Sequence, residues 1–574
     1  MRDRIPIVFI ASLFILLGIA LFYNQVIRFG YYSRLSKNNS IRIIPIDGPR
    51  GNIFDRNGVL LVSNRLSFDI AVVYQEVKDK QKFIRVLSDT LNIPARNIVR
   101  ILDKARSRPY APVTILEDID KDKAIMLEED SFDMDGLTIE TRSRRNYLYN
   151  NIGSHVFGYL SEIGEDELDD LKDYGYRPRD LVGRSGLEKQ YETYFKGTDG
   201  GTQIEVDSRG RETRVLGVKE PLNGKDLYLT IDMALQTVCD KLLGEHKGAV
   251  CVMDPVSGEV LALASHPAFD PNVFVRPKSS DERVALLRDR IGRPLSNRAI
   301  SGLYAPGSVF KIVTASAALE TKKITPATRF FCPGNYRLGN AKFDCWKSEG
   351  HGSQNLVEGL TNSCDVFFYN TGRAAGADAI EAYAKLFGLG QPTGIDLPDE
   401  VSGMVPGRAW KKYFKHSPWY EGDTVNYSIG QGYLLVTPLQ IMDMMGVIAD
   451  NGSLVRPYLV KRVGGVSMQA GKPRHLGLDP NTVKVIREGL YEVVNNENGT
   501  GKRAKVDGVI VAGKTGTAET PNGRTHAWFA GFAPCDGGPR VCVVVFLEHG
   551  GKGGLEPAEI ARGIFEEARK KGYL

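Results

Sequence analysis

Residues 304–320 read YAPGSVFKIVTASAALE. Pro306 and Gly307 close one segment and the apolar spacing after them is helical, so Ser308 falls in a first turn with Lys311 three residues on, on the same face. At that spacing an amine can reach a hydroxyl. A serine alkoxide does not form near neutral pH without an adjacent base, and a lysine held out of water near other cations gives up its proton and serves as one. The start of a helix also favours negative charge developing close by. Alone, Ser-x-x-Lys carries little weight, because ordinary composition predicts about two chance matches in a chain this long. The sequence holds one.

Two later stretches complete a set. Ser363, Cys364 and Asp365 place two polar side chains on either side of a thiol, and GKTGTAE (513–519) places Lys514, Thr515, Gly516 and Thr517 just before the strand-like HAWFAGFAP. A lysine with two hydroxyls on an edge strand suits a carboxylate, and Gly516 lets a substrate backbone lie close.

Outward from these motifs, GAVCVMD and EVLALAS around the turn PVSG read as a hairpin, and HAWFAGFAP with VCVVVFLEH reads as a second. Helical text lies at both ends, after the N-cap residue Asp232 and at PAEIARGIFEEARKK, with a helical middle between. This predicts an α/β domain over 225–574, an antiparallel sheet flanked by helices together with an all-helical part. Before it, residues 24–224 alternate strand-like and loop-rich text, with charged amphipathic pieces over about 78–171 that suit an inserted α+β head. The strand-like stretches on either side of that insertion, FDIAVVY and GTQIEVDSRGRETRVLG, are expected to pair with each other.

Ile5–Tyr23, IPIVFIASLFILLGIALFY, is 19 residues without a charge, long enough as a helix to cross a bilayer's hydrocarbon core. It exceeds the usual apolar region of a cleaved signal peptide. Arg2 and Arg4 precede it, so the expectation is a cytoplasmic tail of residues 1–4, a single span at 5–23 and the remainder outside the cytoplasm. The net charge of +5 is small for 574 residues and reads as solvated surface, so no nucleic-acid partner is expected. Seven cysteines are few and odd in number, which argues against a disulfide scaffold.

Ser-x-x-Lys, a Ser-x-Asp/Asn motif and Lys-Thr-Gly together mark β-lactamases and penicillin-binding proteins. With RGNIFDRNG (50–58), GRSGLEKQYE (183–192), GGTQIEVDSRGR (200–211), MDPVSGEVLALASHPAFDPN (253–272) and SIGQGYLLVTPLQ (428–440), the chain resembles a class B penicillin-binding protein of the elongation type over nearly its whole length. The resemblance implies a penicillin-binding fold on a non-catalytic pedestal, and D,D-transpeptidation of peptidoglycan stem peptides. Ser308 would form the acyl-enzyme, Lys311 act as base, Ser363 relay protons and Lys514 steady the relay. Thr515 and Thr517 would hold the terminal carboxylate beside Gly516, and the backbone N–H groups of Ser308 and Thr517 would form the oxyanion hole. It also implies inhibition by β-lactams, a place in the bacterial inner membrane facing the periplasm, and a RodA-type glycosyltransferase with other elongation-complex proteins as partners. Asp365 stands where the wider superfamily often has Asn, which matches the elongation type more than the division type; the alternative for Asp365 is a helix-start residue.

Cys332, Cys345, His351 and Cys364 follow one another with gaps of 12, 5 and 12 residues. Three thiols and an imidazole match a structural zinc site in type and number. A disulfide between two of the thiols, or three unbonded thiols, are the alternatives, and some elongation-type proteins look similar in carrying a metal-ligand cluster here. Adjacent side chains diverge, so Cys364 must point away from the cleft that Ser363 and Asp365 face. Cys251 and Cys542 read as core residues, Cys535 and Cys542 as a pair that a disulfide could join, and His526 as structural. Three rival classes remain: a division-type protein, a β-lactamase, which would not need the anchor or pedestal, and a β-lactam sensor or silent scaffold.

Overall fold

The computed structural model describes residues 4–110, 112–131, 134–178, 180–207, 212–277, 279–521, 523–536, 538 and 540–574. They fall into two compact units. One comprises 1–50, 64–144 and 196–224, the other 51–63, 145–195 and 225–574.

In the first unit, Arg4–Phe22 forms a helix whose apolar side chains are exposed throughout; the window Ile7–Ile27 is long and apolar enough to cross a membrane. The strand Gly200–Val206 pairs antiparallel with Ile41–Ile46 on one side and Glu212–Lys219 on the other. Its partner is therefore not FDIAVVY. That stretch ends the strand Leu60–Val72, running two residues past it, and pairs through Phe68–Val72 with Val113–Ile119, around a core of Ile70, Phe83, Leu87, Leu102 and Leu127. Both stretches are strands as their composition predicts, but pairing is decided by neighbours in space, which pattern alone does not encode. Residues 208–211, within the stretch GTQIEVDSRGRETRVLG, and residues 132–133 of the head segment lie outside the described residues.

The second unit is built on a five-stranded antiparallel sheet: β1 Gly248–Met253, β2 Val260–His266, β3 Ala512–Glu519, β4 Thr525–Ala533 and β5 Val541–Leu547, in the order β2-β1-β5-β4-β3. The central strands are buried on both faces. Side chains alternate between two apolar clusters, as a period of two requires. Val250, Val252, Phe529, Val543 and Val545 pack with helices α1 (Met233–Leu243) and α6 (Glu556–Lys570), the first capped by the Asp232 carboxylate. Cys251, Met253, Trp528, Phe532, Cys542 and Val544 face the helical part, which includes α2 (Lys311–Glu320), α3 (Asp365–Ala375), α4 (Pro438–Ala449) and α5 (Pro480–Asn495). Every residue of α4 is buried. A helix apolar all round belongs in a large interior, and its Thr437/Gln440 capping box and Pro438 fix where it begins.

The outer strand β3 carries Lys-Thr-Gly, and among the described residues no strand pairs with its free side.

Candidate active site

Ser308 lies in a 3-10 turn, Gly307–Phe310, that leads into α2, so the tighter helix form precedes the α-helix the spacing predicts. Gly307 has φ +55, and a Cβ there would sit 2.5 Å from the carbonyl oxygen of Thr517. Gly516 answers from the strand: its Cβ would lie 2.8 Å from the Pro306 oxygen. The missing side chains bring the serine turn and β3 into backbone contact. Trp528 of β4 donates from its indole N–H to the Ala305 carbonyl at 3.0 Å and holds the turn on the sheet.

Ser363 occupies a tight joint. The short helix Leu356–Thr361 ends there, with Cys364 N–H returning to the Gly359 carbonyl at 2.9 Å and Ser363 itself at φ +49. That left-handed position is the one glycine usually takes at a helix end, and a serine there stores on the order of 1 kcal/mol of strain. Cys364 then caps α3, its sulfur accepting from Phe367 N–H at 3.4 Å. Asp365 is therefore the first residue of α3, and Cys364 holds the capping position.

Lys311, Ser363, Asp365 and Lys514 converge, with both lysines fully buried. Lys311 Nζ donates to the Ser363 carbonyl at 2.9 Å, to Ser363 Oγ at 3.3 Å and to Asp365 Oδ1 at 2.7 Å. Lys514 Nζ donates to Ser363 Oγ at 2.9 Å and to the Thr515 carbonyl at 3.1 Å. The Ser308 hydroxyl is half-buried and has no hydrogen-bond partner among the described residues. The amine of Lys311 is thus directed at the second motif rather than at Ser308. Burial pushes the Lys514 amine well below its ordinary range and the nearby Lys311 pushes it further, against the pull of Asp365. With two lysines and one carboxylate around one hydroxyl, a neutral Lys514 leaves the cluster balanced, which avoids an uncompensated buried charge.

On β3, Thr517 is exposed, while Thr515 is buried and donates to Thr500 Oγ1 at 2.9 Å. The two hydroxyls are therefore unequal. His526 is engaged structurally: its Nδ1 accepts from His549 N–H and its ring meets those of Tyr304, Phe546 and His549.

Behind Ser363 the four candidate metal ligands meet. Cys332 closes the strand Phe330–Cys332, Cys345 follows the hairpin Asn335–Leu338/Ala341–Asp344, and His351 precedes Gly352–Gln354. Their ligand atoms all lie within 4.8 Å of one another, with His351 Nδ1 at 3.5 Å from Cys345 Sγ and 3.7 Å from Cys332 Sγ. Bonds of 2.0–2.3 Å to a tetrahedral metal put neighbouring donors roughly 3.5–3.8 Å apart, so the spacing suits one ion. A hydrogen bond from Cys364, aided by His351, holds the Cys345 thiol well below its usual range while Cys364 keeps its proton. Thiolate is the form a metal takes. All seven cysteines are free, so neither the disulfide within this cluster nor the Cys535–Cys542 pair is formed.

Trp346 is not among the residues the motifs select. Its backbone N–H donates to Asp365 Oδ2 at 3.1 Å, and its indole N–H to the carbonyls of Asn362 at 3.0 Å and Ser363 at 3.2 Å. The ring is 60 % exposed and meets His351 edge-on at 5.2 Å. The available signal was an exposed type of aromatic placed next to Cys345, a predicted ligand.

Comparison with known proteins identifies the family. Residues 248–566 match the family described as penicillin binding protein transpeptidase domain, and residues 45–229 the penicillin-binding protein dimerisation domain. Peptidoglycan D,D-transpeptidase MrdA of Haemophilus influenzae is 33% identical over 570 residues, 94% of this chain and 87% of that protein. Penicillin-binding protein PBP2 of Helicobacter pylori, solved in complex with MreC, aligns with a TM-score of 0.82 at 30% identity over 93% of this chain and 99% of its own. A chain in a solved peptidoglycan synthase complex aligns at 0.76 with 33% identity, over 98% and 97%. Fold and motifs define an active-site-serine enzyme of the penicillin-recognising class. Within that class, the chain belongs to the class B penicillin-binding proteins, in the PBP2 (MrdA) group.

Proposed function

We propose that this D,D-transpeptidase cross-links peptidoglycan stem peptides during cell elongation through an ester on Ser308, and that β-lactams acylate the same oxygen. The observation that carries the assignment of roles is Ser363 Oγ, which bridges the two buried lysines at 3.3 and 2.9 Å. Ser308 Oγ attacks the carbonyl of the penultimate D-alanine and gives its proton to the lysine pair. The terminal D-alanine leaves with a proton delivered through Ser363. The acceptor amine then attacks the ester, the Ser308–acyl bond breaks, and Ser308 regains its proton. Lys311 takes the base role when a proton moves through Ser363 Oγ to Lys514, because its N–H groups are otherwise committed to three acceptors. Thr517 receives the terminal carboxylate, joined by Thr515 once it turns from Thr500. The Ser308 and Thr517 N–H groups face the developing oxyanion, and the backbone contact across Gly307 and Gly516 supports that pairing.

Cys332, Cys345, His351 and Cys364 hold one structural zinc ion that fixes the segment carrying Ser363; the donor set and its spacing support this. Trp346 acts as a positioning residue on the same segment. Residues 5–23 anchor the chain in the bacterial inner membrane, and residues 24–224, with a head at about 78–171, form a non-catalytic pedestal facing the periplasm. A RodA-type glycosyltransferase and elongation-complex proteins are the proposed partners, in keeping with the MreC and synthase complexes of the similar proteins. Incubation of the full-length protein with a fluorescent penicillin tests the chemistry. A stable adduct that maps to Ser308 and disappears in S308A is expected; rapid release of hydrolysed penicillin would mean a β-lactamase.

A further inference from the structure

Arg408–His416 reads RAWKKYFKH, three aromatics interleaved with five basic residues. It is the place where reading charge as mere solvated surface does not hold. Residues Arg408–Phe414 form a short helix whose aromatic side chains the core does not take: Tyr413 is 74 % and Phe414 62 % exposed. A large ring left in water forgoes its burial energy, so a cluster of them calls for an occupant. The rings form a connected platform. Trp410 lies 5.8 Å from Phe414 and 5.3 Å from Tyr433, and Phe414 lies 4.9 Å from Tyr413.

The platform is held from below and charged from above. Lys411 is buried, paired with Asp423 and set 5.7 Å over the Tyr433 ring. Arg408 is paired with Asp378. Lys412 and Lys415 are exposed with no carboxylate partner among the described residues, and Lys415 Nζ lies 5.6 Å over Tyr433. Tyr433 ties the platform to the active site. On one side of it the Gly430 carbonyl accepts from Gly307 N–H at 3.0 Å, and on the other the Val436 carbonyl accepts from Tyr304 N–H at 2.9 Å. The segment carrying this ring thus brackets the turn that presents Ser308.

We propose that Trp410, Tyr413, Phe414 and Tyr433 with Lys412 and Lys415 form a binding surface for a peptidoglycan strand. It keeps a strand in place while its stem peptide is at Ser308, and the inference rests on the transpeptidase reading above. The chemistry is complementary. Sugar rings present polarised C–H faces that stack on the negative faces of aromatic rings, and stem peptides carry carboxylates that free ammonium groups attract. Adjacency to Ser308 favours the strand over a lipid surface or a nucleic acid.

The test uses the full-length protein in detergent and un-cross-linked glycan strands with intact stems, measured by co-sedimentation. The variants are K412E/K415E, Y413A/F414A and, as a charge-matched control on exposed residues elsewhere, K472E/K484E. Both platform variants should lose strand binding about tenfold at low salt, the lysine variant losing its difference from wild type as salt rises. The control should bind as wild type does. Penicillin acylation should stay within about twofold in all three, which separates this inference from the function: wild type failing to acylate would overturn the transpeptidase reading, whatever the strands do. Strand binding unchanged in both platform variants would overturn the surface. So would an equal loss in the control, or poly-glutamate binding as tightly as strands with the same dependence on the variants, since that polymer has carboxylates and no sugars.

Discussion

Ser363 and Asp365 face one polar cluster and Cys364, between them, faces another, and the two are held together in different ways. On the lysine side Lys311 joins Ser363 and Asp365 through charge-assisted hydrogen bonds of 2.7 to 3.3 Å, and Lys514 donates to the Ser363 hydroxyl at 2.9 Å. On the thiol side the contacts are sulfur to imidazole at 3.5 and 3.7 Å, and His351 Nε2 is buried without a partner among the described residues. Charge-assisted bonds organise a buried site unaided; thiols are weak donors and acceptors that become rigid when a metal takes them. The lysine side is complete as it stands, and the thiol side, on the zinc reading proposed above, is the one that an ion would complete.

The sharpest way to break this contrast is K514M. Acylation by penicillin should fall about 10²- to 10³-fold, as for loss of a group that acts in the transition state. Stability near neutral pH should rise. The Lys514 amine is depressed in the folded protein relative to 10.5, so the unfolded chain binds more protons below that value and wild-type stability climbs as pH rises towards it. Denaturant titrations across pH should therefore show the variant's advantage shrinking towards pH 10.5.

On the other side, the proposed zinc site predicts about one equivalent of zinc in wild type that C345S loses, at a cost of about 2–5 kcal/mol of stability, with a smaller loss of acylation than K514M. Less than a tenth of an equivalent of zinc in wild type purified without added metal would sink the metal reading. Replacing Trp346 by 3-benzothienylalanine separates the two sides, because it keeps the bicyclic ring and removes the indole N–H that holds the Asn362 and Ser363 carbonyls. Acylation should slow about tenfold, with metal content unchanged and Tm within a degree or so; full activity with this isosteric ring would mean that Trp346 acts by shape alone. The smallest effect belongs to D365N. Asp365 supports the charged form of Lys514, so removing its charge should move the acid limb of the pH–rate profile to lower pH, by about half a unit to one unit. A shift to higher pH would exclude Lys514 as the group that must be neutral.

Much of this site can be read from the chain because its parts are local. Ser308, Lys311, Ser363 and Lys514 each sit in a short stretch whose residue types have few other uses together. Strand composition likewise foretells β1, β2, β4 and β5, since continuous runs such as VCVVVF suit a strand buried on both faces, whereas β3 is marked by its motif. What composition does not reveal is where long side chains turn. Lys311 has the spacing to reach Ser308 and instead spends its donors on Ser363 and Asp365, because those acceptors approach from a helix joint more than fifty residues away. Trp346 and the Gly200–Val206 pairing are hidden for the same reason: their partners are set by tertiary placement.

The side of β3 that no strand pairs with among the described residues has a cost that enzymology does not register. A strand side that admits an extended stem peptide, as proposed above, also offers a place to another extended chain, including a partly unfolded copy of this protein, and most proteins blunt such edges with charge, proline or a covering loop. On that reading, blunting the edge would lose the substrate. Aggregation on heating is therefore expected to begin at β3, and a covalently bound β-lactam lying along that strand should delay clouding by more than its effect on unfolding would predict.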